Sequence, residues 1–447
     1  MKTSLSAAMV RQATEDLRRA ELDFVQHYPG LGVGGSGERQ PVHSFYGGAH
    51  LFRSDSIAKL GAVALRALDA YAPDPARLAA ALGLPEGLSE TLYGRVAEKL
   101  RREPIEDYRI DFEDGYGHRP DEEEDGHALA AGRETAAALR QGTLPPFFGI
   151  RIKALTEETR ERAVRTLDLY LTALVEETGG ALPPGFVVTL PKAVFPEQMA
   201  ALAGLCERLE AALSLPDGAL RLEIMVEAPQ AVVGPAGEVA LPRLVAAGRG
   251  RCRAAHFGAY DYTAACGITA AHQTLTHPAC EFARQVMQAS LAGTGVWLVD
   301  GATTTLPIAP HRASPSAEQA EENREVVHRA WKLHYQNIRR SLAQGFYQSW
   351  DLHPAQLIPR YAAVHAFFLE ELERQAERLR NFVQKAAQAT RVGEVFDDAA
   401  TGQGLLNSFL RAMHSGALSE EDALAKSGLT LEELRGRSFL KILGKRA

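Results

Sequence analysis

The chain has 447 residues, 46% of them apolar and 23% charged, with a formal net charge of −7 at neutral pH. This is globular composition, its charge gives no basic footprint for nucleic acid, and it contains no run of about 18 apolar residues that could span a bilayer. One ordinary core would not fill this length, whereas a barrel of about 250 residues with additions would.

The first segment, MKTSLSAAMVRQATEDLRRAE, is interrupted by Arg11, Glu15 and Asp16. It predicts an amphipathic helix, not a signal peptide. Residues 1–40 are read as an N-terminal helix and loop. GVGGSG (32–37) fits the GxGxxG pattern but follows Tyr28-Pro29-Gly30-Leu31, not a strand, and precedes Glu38-Arg39-Gln40-Pro41, not a helix. It predicts a flexible loop, not a dinucleotide site. The cysteines Cys206, Cys252, Cys266 and Cys280 lack zinc-site spacing and read as free thiols of a reducing cytoplasm.

From residue 41 short apolar runs alternate with segments of helical period, the sequence form of a parallel sheet with crossover helices. The runs are HSFYGG (43–48), RIDFE (109–113), FFGIRIKA (147–154), FVVTLPK (186–192), LRLEIMVE (220–227), AAHFGAYD (254–261), GVWLVD (295–300) and YQSWDL (347–352). Most are apolar nearly throughout, as strands buried on both faces should be. Between them, Val164, Leu167, Leu171 and Leu174 recur at helical steps, as do Met199, Leu202, Cys206, Leu209 and Leu213 after Pro196. The expected fold class is α/β, a (β/α)8 TIM barrel over 41–358, with an open doubly wound sheet as the alternative. About thirty residues around 70–105 read as an insertion. Residues 359–447 read as a C-terminal helical extension without strands, beginning in a long helix over roughly 356–390. Ser419 to Asp422 and Thr430 to Glu433 have capping-box spacing in this tail. The acidic run Asp121 to Asp125 reads as the first turn of a helix, where acids favour the dipole.

Ionisable residues collect at the ends of the apolar runs. Glu113 and Asp114 close one, Lys192 another, and Glu227, Asp261 and Asp300 three more, while Arg151 lies inside FFGIRIKA. In a barrel all C-terminal strand ends meet at one rim, where active sites lie, and buried charges there need partners. Carboxylates on adjacent strands, Glu227 and Asp261, suit Mg²⁺, which binds through one or two carboxylates plus waters and substrate oxygens. Arg151 offers a planar fork to a substrate carboxylate. A 2-oxo acid chelating the metal would have its enolate stabilised on carbon–carbon cleavage or condensation. Glu113 and Asp114 either order metal-bound water and orient Arg151, or simply pair with Arg151 or Lys192. His353 in HPAQ is either a substrate contact or a structural histidine.

At these residues the sequence resembles the citrate lyase β-subunit and 2-oxo-acid aldolase superfamily, which includes the malate synthases. The resemblance runs through DFEDG (111–115), IRIKAL (150–155), TLPKAVFPEQM (189–199), IMVEAP (224–229), FGAYDYT (257–263) and GFYQSWDLHPAQ (345–356), in the family's order. It implies the same barrel, Glu227 and Asp261 as ligands of one Mg²⁺ per subunit, Arg151 and Lys192 as substrate-binding residues, and Glu113 and Asp114 at the catalytic site. GEVFD (393–397) is similar to the base-bearing segment of acyl-CoA-using relatives and nominates Asp397 as catalytic base. It also implies a homo-oligomer, a trimer or hexamer, with C-terminal elements covering a neighbour's site. VEAP for the family's IETA, and Lys153 for the Asn that follows its arginine, alter the surroundings of the pocket, so the particular substrate does not carry over. The expected activity is a Mg²⁺-dependent carbon–carbon lyase or aldolase of a small 2-oxo or hydroxy acid, or of its coenzyme A ester. The alternatives are an acyl-CoA condensing enzyme or thioesterase, and a non-catalytic barrel with an assembly or regulatory role.

Overall fold

The computed structural model describes residues 4–28, 38–312, 314–384, 390–392, 395–397, 399–436 and 442; the GVGGSG segment lies outside the described residues. Eight parallel strands close into a barrel: β1 (His43–Gly48), β2 (Asp107–Asp111), β3 (Phe147–Arg151), β4 (Val187–Leu190), β5 (Arg221–Val226), β6 (Cys252–Phe257), β7 (Trp297–Ala302) and β8 (Gln348–Asp351). Each pairs with its successor, and β8 returns to β1 through Ser349 opposite His43. The open-sheet alternative is thereby excluded.

Outward positions of the strands are apolar and meet the helices. Tyr108, Ile110 and Phe112 on one side, and Phe148, Ile150 and Ile152 beside them, are all buried. The helix Arg160–Thr178 buries Leu167, Leu171 and Leu174 but leaves Val164 at the surface, so its stripe is rotated slightly from the expected one. The helix Pro196–Ala212 buries Met199, Leu202, Cys206 and Leu209. The insertion between β1 and β2 consists of two extra helices, Pro75–Leu82 and Ser89–Arg102. The acidic run does open a helix, Asp121–Gln141, and within it Glu124 is buried against Lys153.

The lumen departs from the expectation of strands apolar on both faces. Arg109 of β2 reaches across to β5, where its Nε and Nη2 donate to the Glu223 carboxylate at 3.0 and 2.8 Å. The two strands are not neighbours, so this pairing runs through the barrel interior. Arg109 also pairs with Asp107, which accepts from the Ser44 hydroxyl at 2.6 Å, and Gln348 donates to that hydroxyl at 2.9 Å. Charged groups fill positions that bulky aliphatic residues fill in most such barrels, and each is satisfied by a partner. Arg109→Met should therefore leave two buried carboxylates without their cation and cost about 3–5 kcal/mol; urea denaturation of the variant checks this.

Four further expectations are corrected. Asp261 is not on a strand end but four residues beyond β6, in the first turn of the helix Ala259–Ala265. Asp300 lies within β7 and faces the helices, where it accepts from Arg284 Nη1 at 3.3 Å and from the Ser341 hydroxyl. Over 356–384 the chain forms two helices, Leu357–Leu369 and Leu372–Gln384, not one, and the tail does contain strands: β9 (Thr390–Val392) and β10 (Val395–Asp397) pair antiparallel. The strand pattern there is too short, at three residues each, to show as alternation. Both capping sites in the tail form, with Ser419 accepting from the Asp422 N–H at 3.0 Å and Thr430 from the Glu433 N–H at 3.2 Å. The tail helix Ala399–His414 sets Arg411 over the Tyr347 ring, 3.6 Å from its centroid, and within 3.5 Å of Gln40. Tyr347 and Gln40 precede β8 and β1, so the tail is anchored at the N-terminal end of the barrel. Among the described residues no helix is long and apolar enough to cross a membrane.

Candidate active site at the C-terminal rim

The rim is organised by a residue the sequence reading did not nominate. Asp111, last in β2, stands in register beside Arg151, last in β3. Arg151 Nε donates to Asp111 Oδ1 at 2.7 Å and Nη2 donates to Oδ2, a side-on pair buried from solvent. The DFEDG loop is wrapped around the same carboxylate, which also accepts from the N–H groups of Glu113 at 3.0 Å and Gly115 at 2.7 Å. A Cβ at Gly115 would stand 2.5 Å from Asp111 Oδ2, so only glycine admits this approach. The signal was present in the alternation Asp107, Arg109, Asp111, three charges on one face of a strand.

Arg151 is thus committed on two nitrogens, and its Nη1 faces Glu113 at 3.3 Å and Asp114 at 3.7 Å. Lys192 completes the group, its Nζ pairing with Glu113 and, at 3.2 Å, with Asp114. Burial pushes the Glu113 carboxyl above its ordinary range against the pull of Arg151 and Lys192. For Lys192 burial acts downward, but Glu227, then Glu113 and Asp114, hold the ammonium well above its usual value. Its backbone is in the left-handed region at φ 49°, a conformation that costs a residue with a side chain and that collects at functional sites. That backbone aims the Lys192 N–H at Glu227 Oε1.

Glu227 follows β5 and is buried, while Asp261 on its helical turn is exposed. Burial raises the Glu227 carboxyl to about 7; Lys192 and Arg151 oppose this, and the Asp261 charge adds to it. Gly258 makes room for Glu227, because a Cβ there would lie 2.5 Å from Glu227 Cβ and 2.7 Å from Oε2. Gly258→Ala should therefore displace this carboxylate without removing it, and weaken divalent-cation binding in calorimetry while Asp261 is untouched. Among the described residues no three His, Cys, Asp or Glu side chains converge as a metal cage. Two carboxylates and open positions are the donor set that Mg²⁺ accepts, since it keeps several waters. The local balance also fits a cation: Asp111, Glu113 and Asp114 are paired with Arg151 and Lys192, while Glu227 accepts the Lys192 N–H and feels the Asp261 charge.

The two other nominated residues are His353 and Asp397. His353 caps the turn Pro354–Gln356, its Nδ1 accepting from the Ala355 N–H at 3.2 Å, and Gln356 ties the turn to the Thr303 carbonyl at 2.9 Å. Asp397 ends β10; its side chain lies outside the described residues.

The closed parallel barrel, with its charged mouth at the C-terminal strand ends, places the chain in the (β/α)8 class. Among solved structures it is similar to a citrate lyase from Burkholderia xenovorans LB400, with a TM-score of 0.57 over 88% of this chain and 98% of that one at 17% identity. A malate synthase of Haloferax volcanii in complex with magnesium and glyoxylate aligns over 89% of this chain and 97% of that one, at 14% identity and a TM-score of 0.44. At such identity the likeness is one of fold. No curated protein matches the sequence. The chain belongs to the family described as "Domain of unknown function (DUF6986)", whose model matches residues 17–442.

Proposed function

We propose that the protein is a Mg²⁺-dependent carbon–carbon lyase or aldolase of a small 2-oxo or hydroxy acid. The observation that carries this reading is a buried Glu227 within reach of the Asp261 charge, beside the cations Arg151 and Lys192, at one barrel rim. Glu227 and Asp261 would hold the cation, which when bound supplies Lewis-acid polarisation of a substrate oxygen. Arg151, fixed by Asp111, presents its remaining Nη1 edge to a substrate carboxylate, so the grip is end-on and not the side-on fork. Lys192 offers a mobile positive charge between Glu113 and Asp114 for the substrate's second polar group. Glu113, whose carboxyl burial raises, is the group here best suited to hold and return a proton.

Calorimetry with oxalate, a planar chelating analogue of a 2-oxo acid enolate, tests the reading. Oxalate should bind the Mg²⁺-loaded protein and bind much more weakly without the cation. Mg²⁺ binding without any oxalate affinity would remove the 2-oxo-acid assignment. A homo-oligomer in which a neighbour's tail brings Asp397 to this rim is part of the proposal, because the chain's own tail is anchored at the opposite barrel end. A monomer in sedimentation that retains full turnover would exclude it.

A further inference from the structure

Beneath Arg151 the lumen is crossed by two aromatic rings. Tyr46 of β1 and Trp350 of β8 stack with centroids 4.0 Å apart and planes inclined by 20°. The Arg151 guanidinium carbon lies 5.0 Å from the Tyr46 ring centroid and 5.6 Å from that of Trp350. Both distances are within cation–π range. Asp111 therefore fixes the edge of the guanidinium and the ring pair supports its face, leaving the Nη1 side toward the mouth.

The rings are themselves tethered from across the barrel. Trp350 Nε1 donates to His256 Nδ1 of β6 at 3.0 Å, and the Tyr46 hydroxyl lies 3.4 Å from the same nitrogen. An indole N–H can only donate, so His256 Nδ1 must carry the lone pair and the ring proton resides on Nε2. Nε2 faces Glu223 Oε2 at 3.3 Å, and Glu223 is held by Arg109 and by the Thr189 hydroxyl at 2.9 Å. A run of contacts thus links Arg109 in the lower lumen, through Glu223 and His256, to the floor under Arg151, hydrogen-bonded at each step except the 3.3 Å approach of His256 Nε2 to Glu223. Every member is buried. Ion pairing among lumen charges does not require an aromatic pair spanning β1 and β8 or a histidine of fixed tautomer.

We propose that Tyr46 and Trp350, locked by His256, form a preset floor of the substrate pocket that holds Arg151 in its working plane, and that His256 is a positioning residue for recognition of the substrate's carboxylate. This rests on the reading above that Arg151 meets a carboxylate. It assigns His256 no contact with substrate and predicts that its effect is selective, touching carboxylate recognition and not the cation site of Glu227 and Asp261.

The test is calorimetry on full-length protein with Mg²⁺ alone and with oxalate added to the Mg²⁺-loaded form. His256→Leu removes the acceptor and should weaken oxalate binding about tenfold or more, since small misplacements of a binding group are costly, with Mg²⁺ affinity unchanged. His256→Asn places an amide oxygen where Nδ1 stood and should restore most of the lost oxalate affinity. Trp350→Phe, which keeps a ring but has no N–H, should also weaken oxalate and carries the test if the leucine variant does not fold. Oxalate affinity unchanged in both His256→Leu and Trp350→Phe, or equally lost in His256→Asn, overturns the positioning role. No oxalate binding by the wild-type protein would instead overturn the functional reading, and the floor's role with it.

Discussion

Glu227→Gln and Asp261→Asn are each expected to abolish measurable Mg²⁺ binding in calorimetry while the barrel stays folded. Each removes one of two carboxylates from a site where hard oxygen donors are few, and Mg²⁺ has little affinity for neutral amides. Neither substitution endangers the core. Asp261 is exposed on a helical turn, and Glu227 is a buried carboxyl whose neutral replacement relieves charge repulsion from Asp261. The wild-type affinity should also depend on pH in a stated direction. Burial first, and then Asp261, raises the Glu227 carboxyl to about 7. The cation needs the ionised form, so binding must release a proton at and below that pH. Affinity should be fully developed above pH 7 and decline through the acid side, with proton uptake into buffer visible in the heats. The linked sign for folding is the opposite of that for a salt-bridged acid. A carboxyl raised in the folded state favours folding less as pH rises from the ordinary carboxylate range to 7, and added Mg²⁺ should cancel this loss. Unchanged Mg²⁺ affinity in both variants would remove these residues as ligands.

Arg151→Lys should lower oxalate affinity of the Mg²⁺-loaded protein by an order of magnitude or more although the charge is kept. A lysine cannot reproduce the side-on pair with Asp111, the contact of Nη1 with Glu113 and the flat seat over Tyr46 and Trp350 at once. One charge-assisted hydrogen bond is worth about 1.5–3 kcal/mol, which sets the scale of the loss. Arg151→Met goes further. It strands the buried Asp111 without its cation and should destabilise the fold by about 3–5 kcal/mol, read as a lower denaturation midpoint. Wild-type oxalate binding by Arg151→Lys would take Arg151 out of the recognition site and leave it as a structural partner of Asp111.

The apolar runs encode eight parallel strands with helical returns, while closure of those strands into a barrel was left to β8 meeting β1. The runs at 43–48, 147–154, 186–192, 220–227 and 347–352 each contain an observed strand and those at 109–113, 254–261 and 295–300 each overlap one by at least three residues, because outward strand positions must be apolar to meet the helices, and that demand is local. The sequence also determined that Glu113, Asp114, Arg151, Lys192 and Glu227 share a rim, since parallel strands place all their C-terminal ends together. Which of these side chains pair with one another depends on strand register and on contacts between distant segments. The alternation Asp107, Arg109, Asp111 marks a charged strand face, but that Asp111 takes the arginine of the next strand as its partner is decided by register. Asp300 looked like a rim residue, but its side chain turns to Arg284 and Ser341 on the outer helices. Asp261 read as a strand end and proved to be on a helical turn, because the chain turns at Gly258, where close approach to Glu227 leaves no room for a side chain. The charged lumen was least legible of all. Glu223 of β5 and His256 of the adjacent β6 are neighbours, but Arg109 comes from the distant β2, and Glu223 is tolerated in the interior because the curved barrel brings Arg109 across to it.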